Sequence, residues 1–377
     1  MKFGSFEFNL RELAGSMGDF GTLFPLAIGY IVVCGLDPSG FLLMMGLANI
    51  GTGLFYRLPM PIEPMKVLAV VAIAQRWTPS MVYASALAMG IVWLGFGLTG
   101  VMGWIARITP RAVVRGIQVA LGVLLALKAF DMISSWWALG MVSMVLALAL
   151  RRNRYAPGAI VLILLGLLIM FARGQLLGIP TPGLHLPHLT TFRVDEVWQV
   201  LALAGFAQIP LTATNAVIST SSLIKTYWPE RTVTERQLSL NMGIMNVVAP
   251  FFGGMPMCHG AGGLAGQYYF GARTGGANII EGLIEIFLGL FLAASIAQLL
   301  AAFPPAIIGA MLLLVGVELA RFATDVRLKG DLAVLGITVV FSVVANMALG
   351  FVVGIAAHYL ARQISAKWQP EKLGGRG

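Results

Sequence analysis

The chain has 377 residues, of which 58% are hydrophobic and 11% charged, and its net charge is +9. With a mean hydropathy of +0.86, the apolar side chains cannot all be hidden beneath a polar surface, which excludes a soluble globular protein and predicts an integral membrane protein. The two cysteines lie in separate apolar segments and do not indicate a disulfide framework. Polar and acidic residues interrupt the first 20 positions, so we expect no cleavable signal.

Apolar stretches long enough to cross a bilayer as helices recur along the whole chain. They predict fourteen membrane segments, at 12–35, 38–56, 62–75, 79–104, 109–130, 134–150, 155–173, 197–220, 236–254, 258–270, 276–299, 303–320, 330–346 and 347–362. With the N-terminus inside, 20 of the 25 Lys and Arg residues fall on the inner side, four outside and Lys66 within the membrane. This asymmetry follows the positive-inside rule. We therefore expect cytoplasmic termini, a location in the cytoplasmic membrane, and no nucleic-acid partner.

The first segment contains a carboxylate, Asp19, before Pro25. Carboxylates inside a membrane are costly and often functional, so Asp19 is a candidate for proton coupling. Its alternative role is to cap a broken helix by accepting backbone N–H bonds. Gly21 and Thr22 beside it are candidate substrate-binding residues.

The third and tenth segments are too short to span the membrane. The helices that can follow Met60-Pro61 and Met255-Pro256, at 63–75 and 258–270, would rise only about 20 Å. We expect each segment to be an extended stretch to the midplane followed by a half-helix, which is tolerated only where the backbone is buried in protein or lines a cavity. Two half-helix N-termini facing one another, each with free N–H groups and a positive dipole end, would form an anion site.

The third segment also carries the most informative charged pair. Glu63 and Lys66 are three residues apart near the midplane, where an uncompensated charge costs at least about 2.5–3.5 kcal/mol. They either pair only to orient the helix, or Lys66 attracts an anion while Glu63 takes up a proton as the anion binds. Pro61, Ile62, Glu63 and Lys66 are therefore candidate substrate-binding residues, and Glu63 a candidate for proton coupling.

The Pro- and Gly-rich stretch 174–196 is expected to be an outer loop that divides the chain into two halves, 1–173 and 197–377. The eighth segment then supplies Gln208, Thr212 and Asn215 on one helical face. Their amide and hydroxyl groups suit a tetrahedral oxyanion, and interhelical hydrogen bonding is the alternative.

The tenth segment adds Cys258, His259, Gly260, Ala261 and Gly262 as substrate-binding candidates. Adjacent residues on a helix point about 100° apart, so a thiolate–histidine dyad has poor geometry and we do not expect an enzyme. His259 is instead a candidate anion donor or proton carrier, and a packed neutral histidine is the alternative.

In the eleventh segment Glu281 and Glu285 lie four residues apart and would repel one another unless protonated or paired with cations. They are candidates for proton coupling or for structural ties to loop arginines. No cofactor and no metal site are expected, apart from a metal that the substrate itself contains.

Each half holds seven predicted segments, so the second half enters the membrane from the opposite face and any similarity between the halves is an inverted repeat. The stretch "NIGTGLFYRLPMPIEPMKVLA" (49–69) is similar to "NVVAPFFGGMPMCHGAGGLAG" (246–266), with Met60-Pro61 matched to Met255-Pro256. The stretch "FGTLFPL" (20–26) likewise matches "FAQIPL" (206–211).

Three stretches, "GDFGTLFPLAIG" (18–29), "PMPIEPMKVLAVVAIA" (59–74) and "GGMPMCHGAGGLAGQYYFGARTGG" (253–276), carry a family resemblance. They resemble the molybdate-transporter branch of the sulfate permease superfamily over nearly the whole chain. The resemblance implies an all-α fold of fourteen segments in a seven-plus-seven inverted repeat, with a core domain of segments 1–4 and 8–11 and a gate domain of segments 5–7 and 12–14. It implies no cytoplasmic regulatory domain. The family pattern has Gln where this chain has Glu63.

We therefore expect a secondary active transporter that imports a tetrahedral oxyanion, molybdate or else sulfate or tungstate, by proton-coupled symport. The partners expected are the small inorganic oxyanion and the lipid bilayer, and a homodimer is compatible with the resemblance. A nucleobase or other organic-anion permease of the same fold and an anion channel are the alternatives.

Overall fold

The computed structural model describes residues 2–101, 108–150, 158–176 and 180–368, with the backbone alone at residues 2, 19–22, 158–160, 329 and 364–368. The ends of the predicted segments 79–104 and 155–173 lie partly outside these residues. The helices of the first half are α1 (Leu10–Ser16), α2 (Phe20–Val32), α3 (Pro38–Tyr56), α4 (Lys66–Gln75), α5 (Pro79–Thr99), α6 (Arg111–Ile133), α7 (Trp137–Leu150) and α8 (Gly158–Ala172).

The helices of the second half are α9 (Val194–Val200), α10 (Phe206–Thr212), α11 (Thr220–Tyr227), α12 (Glu235–Val248), α13 (Ala261–Phe270), α14 (Gly276–Phe291), α15 (Ala293–Ala302), α16 (Pro305–Arg321), α17 (Lys329–Val344) and α18 (Met347–Trp368). Two π-helical stretches, Leu201–Gly205 and Ala213–Ser219, join α9, α10 and α11 into one long helix. The strands are β1 (Lys2–Phe3), β2 (Phe6–Glu7), β3 (Glu63–Pro64) and β4 (Met257–Cys258).

Five helical stretches in the described residues are long and apolar enough to cross a membrane. They are Pro38–Tyr56, Pro79–Thr99, Arg111–Leu150, Val194–Tyr227 and Pro305–Asp325. A sixth is formed if α14 and α15, which meet at a bend of 84°, are one broken span. The protein is therefore a multi-pass membrane protein, and the full number of fourteen segments stays a prediction.

The helices pack into two groups, each with its own close crossings. In the first group α3 packs along α14 and α5 along α12, and in the second α6 packs against α16 and α17. Gly46 and Gly282 face one another at the crossing of α3 and α14, because a Cβ on Gly46 would lie 2.6 Å from the Gly282 carbonyl oxygen. Gly122 and Gly316 do the same where α6 crosses α16. These contacts fit the role of small residues in membrane helix packing.

The two Met-Pro segments differ from the prediction in where their helices begin. α4 begins at Lys66 and α13 at Ala261, three residues later than expected, and each has ten residues. The residues before them are extended because β3 and β4 pair with one another. The backbone of these residues is satisfied by this pairing and not by a helical turn, as the membrane interior requires.

Candidate functional site

The site is built on the crossing of the two extended segments. β3 and β4 run antiparallel, with Glu63 opposite Cys258 and Pro64 opposite Met257. The Met65 N–H donates to the Pro256 carbonyl oxygen at 2.9 Å and extends the pairing toward α4. The two short helices therefore begin next to one another, on either side of a common strand pair.

Two buried asparagines hold these segments in place. The Asn278 amide on α14 accepts from the Met60 N–H at 2.8 Å and donates to the Met60 carbonyl oxygen at 2.5 Å. The Asn246 amide on α12 makes the same two bonds with Met257, at 2.7 and 2.6 Å. Because an extended segment inside the membrane has no water to bond its backbone, each clamp fixes the depth at which its segment lies.

The N-terminus of α4 is already capped by a side chain. Gln208 Oε1 accepts from the N–H groups of Val67 at 2.8 Å and Leu68 at 3.2 Å. The Gln208 side-chain NH₂ donates to the Thr212 hydroxyl, and both residues are buried. The structure thus contradicts the expectation that both helix N-termini offer free N–H groups, because Gln208 occupies donors of α4 that an anion would use.

The N-terminus of α13 is different. Its first helical bond runs from the Leu264 N–H to the Gly260 carbonyl oxygen at 2.9 Å, so the N–H groups of residues 261–263 have no acceptor within the helix. Gly262 and Gly263 line a cavity, and a Cβ placed on Gly262 would meet no atom within 4 Å. This end of α13 therefore presents backbone donors and the positive end of the helix dipole to open space.

Glu63 and Lys66 meet beside this helix end. Lys66 Nζ donates to Glu63 Oε2, with the Glu63 side chain 2% exposed and that of Lys66 17% exposed. The Glu63 carboxylate also lies against Gly260, the residue that precedes α13, where a Cβ would collide with it. Glycine at 260 lets the carboxylate approach the position that an anion would take at this N-terminus.

The cavity itself has a volume of about 320 Å³ and is bordered on one side by helices of the second group. The short helices and the long helix 194–227 provide one wall, and α6, α16 and the turn after α16 provide the other. Its lining residues are Gly18, Glu63, Lys66, Gln118, Leu211, Asn215, Gly262, Gly263, Leu314, Val315, Glu318, Leu319 and Phe322. The volume is that of about ten water molecules.

Four of the predicted binding residues thus line the cavity together: Glu63, Lys66, Asn215 and Gly262. Ala261 precedes Gly262 at the start of α13. Sequence reasoning missed Gln118 and Glu318. An amide in the otherwise apolar segment 109–130 was the signal available for Gln118, since polar side chains inside a membrane are rare.

His259 and its neighbours lie behind the strand pair and not in the cavity lining. His259 is fully buried, with Nδ1 3.2 Å from the Pro61 carbonyl oxygen and Nε2 3.1 Å from Asn241 Oδ1. Since the carbonyl oxygen only accepts, Nδ1 is the donor of that hydrogen bond, and a neutral ring can then bond through Nε2 only if the Asn241 amide turns its NH₂ toward it. Cys258 is buried with Sγ 4.0 Å from the Pro64 carbonyl oxygen, and Ile62 is buried with it. These contacts connect the two extended segments.

Glu281 and Glu285 are buried on α14, outside the cavity lining. Glu285 Oε2 accepts from the Asn49 amide at 2.8 Å, and Asn49 Oδ1 accepts from Asn278 at 2.8 Å. This chain of hydrogen bonds connects α3 and α14 to the clamp on Met60. The side chains of Asp19 and Thr22, and Gly21 between them, lie outside the residues whose surroundings the structure describes.

The sequence comparisons point to one family. A family model described as "Molybdate transporter of MFS superfamily" matches residues 11–125 and 200–319. Molybdate transporters 1 and 2 of Arabidopsis thaliana are each 32% identical over 93% of this chain and 87% of their own length. Molybdate transporter 1 of Chlamydomonas reinhardtii is 27% identical over 91% of this chain and 90% of its own. These relatives are transporters and not enzymes, as the sequence predicts.

Solved structures agree on the fold. SLC26A9 aligns with a TM-score of 0.70 at 12% identity over 94% of this chain, which spans 65% of that protein's length. Murine Slc26a9, an anion transporter solved in the inward-facing state, aligns with a TM-score of 0.71 at 14% identity, over 97% of this chain and 70% of that one. The transmembrane domain of the cyanobacterial bicarbonate transporter BicA aligns at 0.65 and 16% identity, over 93% and 96%. The chain therefore belongs to the molybdate transporter family, and it shares its fold with these anion transporters.

Proposed function

We propose that the protein is a secondary active transporter that imports a tetrahedral oxyanion, molybdate in the first place, across the cytoplasmic membrane. The observation that carries the proposal is the cavity of about 320 Å³ in which Lys66 and the open N-terminus of α13 lie together. The relatives are molybdate transporters, which supports molybdate over sulfate or tungstate.

The anion binds at the N-terminus of α13 in this proposal. The N–H groups of residues 261–263 donate to its oxygens, and the helix dipole adds a positive potential of roughly half a charge. Lys66 supplies the compensating full charge, and the Asn215 amide supplies a further donor from the long helix 194–227 on the same wall. Glycines at 262 and 263 allow the oxyanion to approach the backbone closely.

Glu63 couples binding to a proton. Its carboxylate is paired with Lys66 and lies beside the anion position, so a bound dianion would be repelled by it. Protonation of Glu63 removes that repulsion and releases Lys66 to pair with the anion. One proton therefore enters with each oxyanion, and an inward proton gradient drives uptake.

The proposed architecture is the seven-plus-seven inverted repeat, with α4 and α13 as half-helices and both termini cytoplasmic. The register of β3 and β4 supports it, because the sequence match of Met60 with Met255 also equates Glu63 with Cys258, the two residues that pair. We assign the helix group of α3, α5, α12 and α14 to the core domain and that of α6, α16 and α17 to the gate domain. The predicted core also includes α4, α13 and the helix 194–227, and the cavity lies between these elements and the gate helices α6 and α16. Movement of the core past the gate therefore carries the anion across.

Proteoliposomes containing the full chain test the proposal. We expect saturable uptake of labelled molybdate that is faster with an inward proton gradient than without one. Lys66→Gln should weaken uptake by about tenfold or more, since a hydrogen bond to a charged group contributes roughly 1.5–3 kcal/mol. Arg327→Gln, which removes a positive charge at an exposed position outside the cavity lining, is the matched control. Unchanged uptake in Lys66→Gln, or no uptake by the wild type, would overturn the proposal.

A further inference from the structure

A second cavity adjoins the first. It has a volume of about 340 Å³ and lies between the first turns of α6 and the helix 194–227, near the turn that follows α16. Its lining residues are Thr109, Arg111, Val114, Arg115, Gln118, Leu211, Thr214, Asn215, Ile218, Ser219 and Phe322. We call this second cavity the vestibule. In the proposed topology it opens toward the cytoplasm.

Two arginines give the vestibule a positive wall. Arg111 is the first residue of α6 and is exposed, and Arg115 lies one turn further along the same helix. Arg115 forms a bidentate ion pair with Asp325, at 3.1 Å from Nε to Oδ1 and 2.6 Å from Nη2 to Oδ2. Its Nη1 donates to Gln118 Oε1 at 3.0 Å. A carboxylate is thus already held by the planar guanidinium, in the geometry that Arg also uses for oxyanions.

The vestibule and the first cavity share four residues: Gln118, Leu211, Asn215 and Phe322. Two of them are amides that face both spaces, and two are apolar. Because Gln118 Oε1 is occupied by Arg115, the donor end of this amide is the part left for a ligand. An anion that leaves the α13 N-terminus toward the vestibule thus passes between amide donors before it meets the arginines.

We propose that the vestibule is a second binding site for the same class of ligand, a tetrahedral oxyanion, formed by Arg111 and Arg115 with the Gln118 and Asn215 amides. It receives the anion after release from the deeper site. Asp325 competes with the anion for Arg115, so the second site is weaker than it would be without that carboxylate. This inference rests on the proposed function, since it takes the same anion as ligand.

Equilibrium binding of labelled molybdate to the detergent-solubilised full chain tests the inference. We expect two ions per chain at saturation. Arg111→Gln should weaken the second ion by about tenfold while leaving the first unchanged. Asp325→Asn should have the opposite effect and tighten the second ion, because it frees the Arg115 guanidinium. Arg327→Gln, also an exposed arginine but outside both cavity linings, should change neither ion.

The outcomes separate the two proposals. One ion per chain, lost in Lys66→Gln but not in Arg111→Gln, overturns the vestibule and leaves the proposed function standing. Equal effects of Arg111→Gln and Arg327→Gln also overturn the vestibule proposal, because they show that the arginines attract the anion only through long-range electrostatics and do not form a binding site. No bound molybdate at all overturns the proposed function and the vestibule with it. Opposite shifts in Arg111→Gln and Asp325→Asn cannot arise from misfolding, which would weaken binding in both.

Discussion

Replacement of Glu63 by glutamine tests the coupling step most directly. The side chain keeps its shape beside Gly260 but cannot carry a charge. If an oxyanion is taken to bind about 5 Å from the Glu63 carboxylate, its two negative charges are repelled by roughly 6–7 kcal/mol at an effective dielectric constant of about 20. Protonation of Glu63 removes this repulsion, so the proposed mechanism expects a proton to enter with the anion.

The expected result is a change in pH dependence. If one proton enters with each anion, the affinity of the wild type for molybdate should rise about tenfold for each unit by which the pH falls. Glu63→Gln should bind with little pH dependence, and its uptake into proteoliposomes should be equal with and without an inward proton gradient. The assay is molybdate binding by isothermal titration calorimetry between pH 6 and 8, about the range over which proteins are commonly stable.

Glu318→Gln is the matched control. Glu318 lines the same cavity and pairs with Arg321 at 2.9 Å, but its side chain is 45% exposed and it belongs to the opposite wall. Its replacement removes the same charge from the cavity and should leave the pH slope in place. A Glu63→Gln protein that retains the wild-type slope would refute the assignment of the proton to Glu63.

Three further predictions concern the support of the site. Gly260→Ala should abolish transport, because its Cβ would collide with the Glu63 carboxylate. Gly262→Ala should fold normally and only reduce the affinity for the anion, because its Cβ enters open space. Thermal unfolding and uptake measured on both variants distinguish a loss of folding from a loss of anion binding. Asn246→Ala should lower the free energy of unfolding by about 1–3 kcal/mol, since it leaves buried backbone groups without partners; an unchanged melting temperature would contradict the clamp. The charged carboxylate of Asp325 is the partner of Arg115, so the stabilisation that this ion pair contributes is lost when acid protonates the carboxylate. Asp325→Asn should therefore be less stable than the wild type by under 1 kcal/mol at neutral pH, with the difference vanishing in acid; a constant difference would contradict it.

Much of the framework could be predicted from the sequence. Composition alone indicates a membrane protein, and the Met-Pro pairs at 60–61 and 255–256 mark the two places where the helices are broken. The spacing of Glu63 and Lys66 predicts their contact even though Glu63 lies in a strand and not in the helix. Short-range spacing and chain-breaking residues are local signals. The predicted contact and the predicted breaks are therefore correct even though the two helices begin three residues later than expected.

The roles of the polar side chains could not be predicted in the same way. Helical spacing places Gln208, Thr212 and Asn215 on one face, but π-helical turns and long-range packing decide what each meets. Gln208 turns its amide to the backbone of α4, 141 residues away in sequence at Val67, while Asn215 lines the cavity. His259 and the two asparagine clamps depend equally on partners that lie far along the chain or across the strand pair. No local pattern contains this information.

The two helix N-termini differ in a way that determines where an anion can enter. In the structure each has an oxygen close to it: Gln208 Oε1 at α4 and the Glu63 carboxylate at α13. An incoming oxyanion can replace such an oxygen only if the displaced group finds another stable state. The neutral amide of Gln208 gains nothing from a proton and would leave its buried bonds unmade, at a cost of about 1–3 kcal/mol. Glu63 can take a proton and remain buried without charge. In the proposed mechanism, exchange of a resident carboxylate for a substrate oxyanion is therefore confined to α13, and Glu63 takes up the proton at the same helix end at which the anion binds.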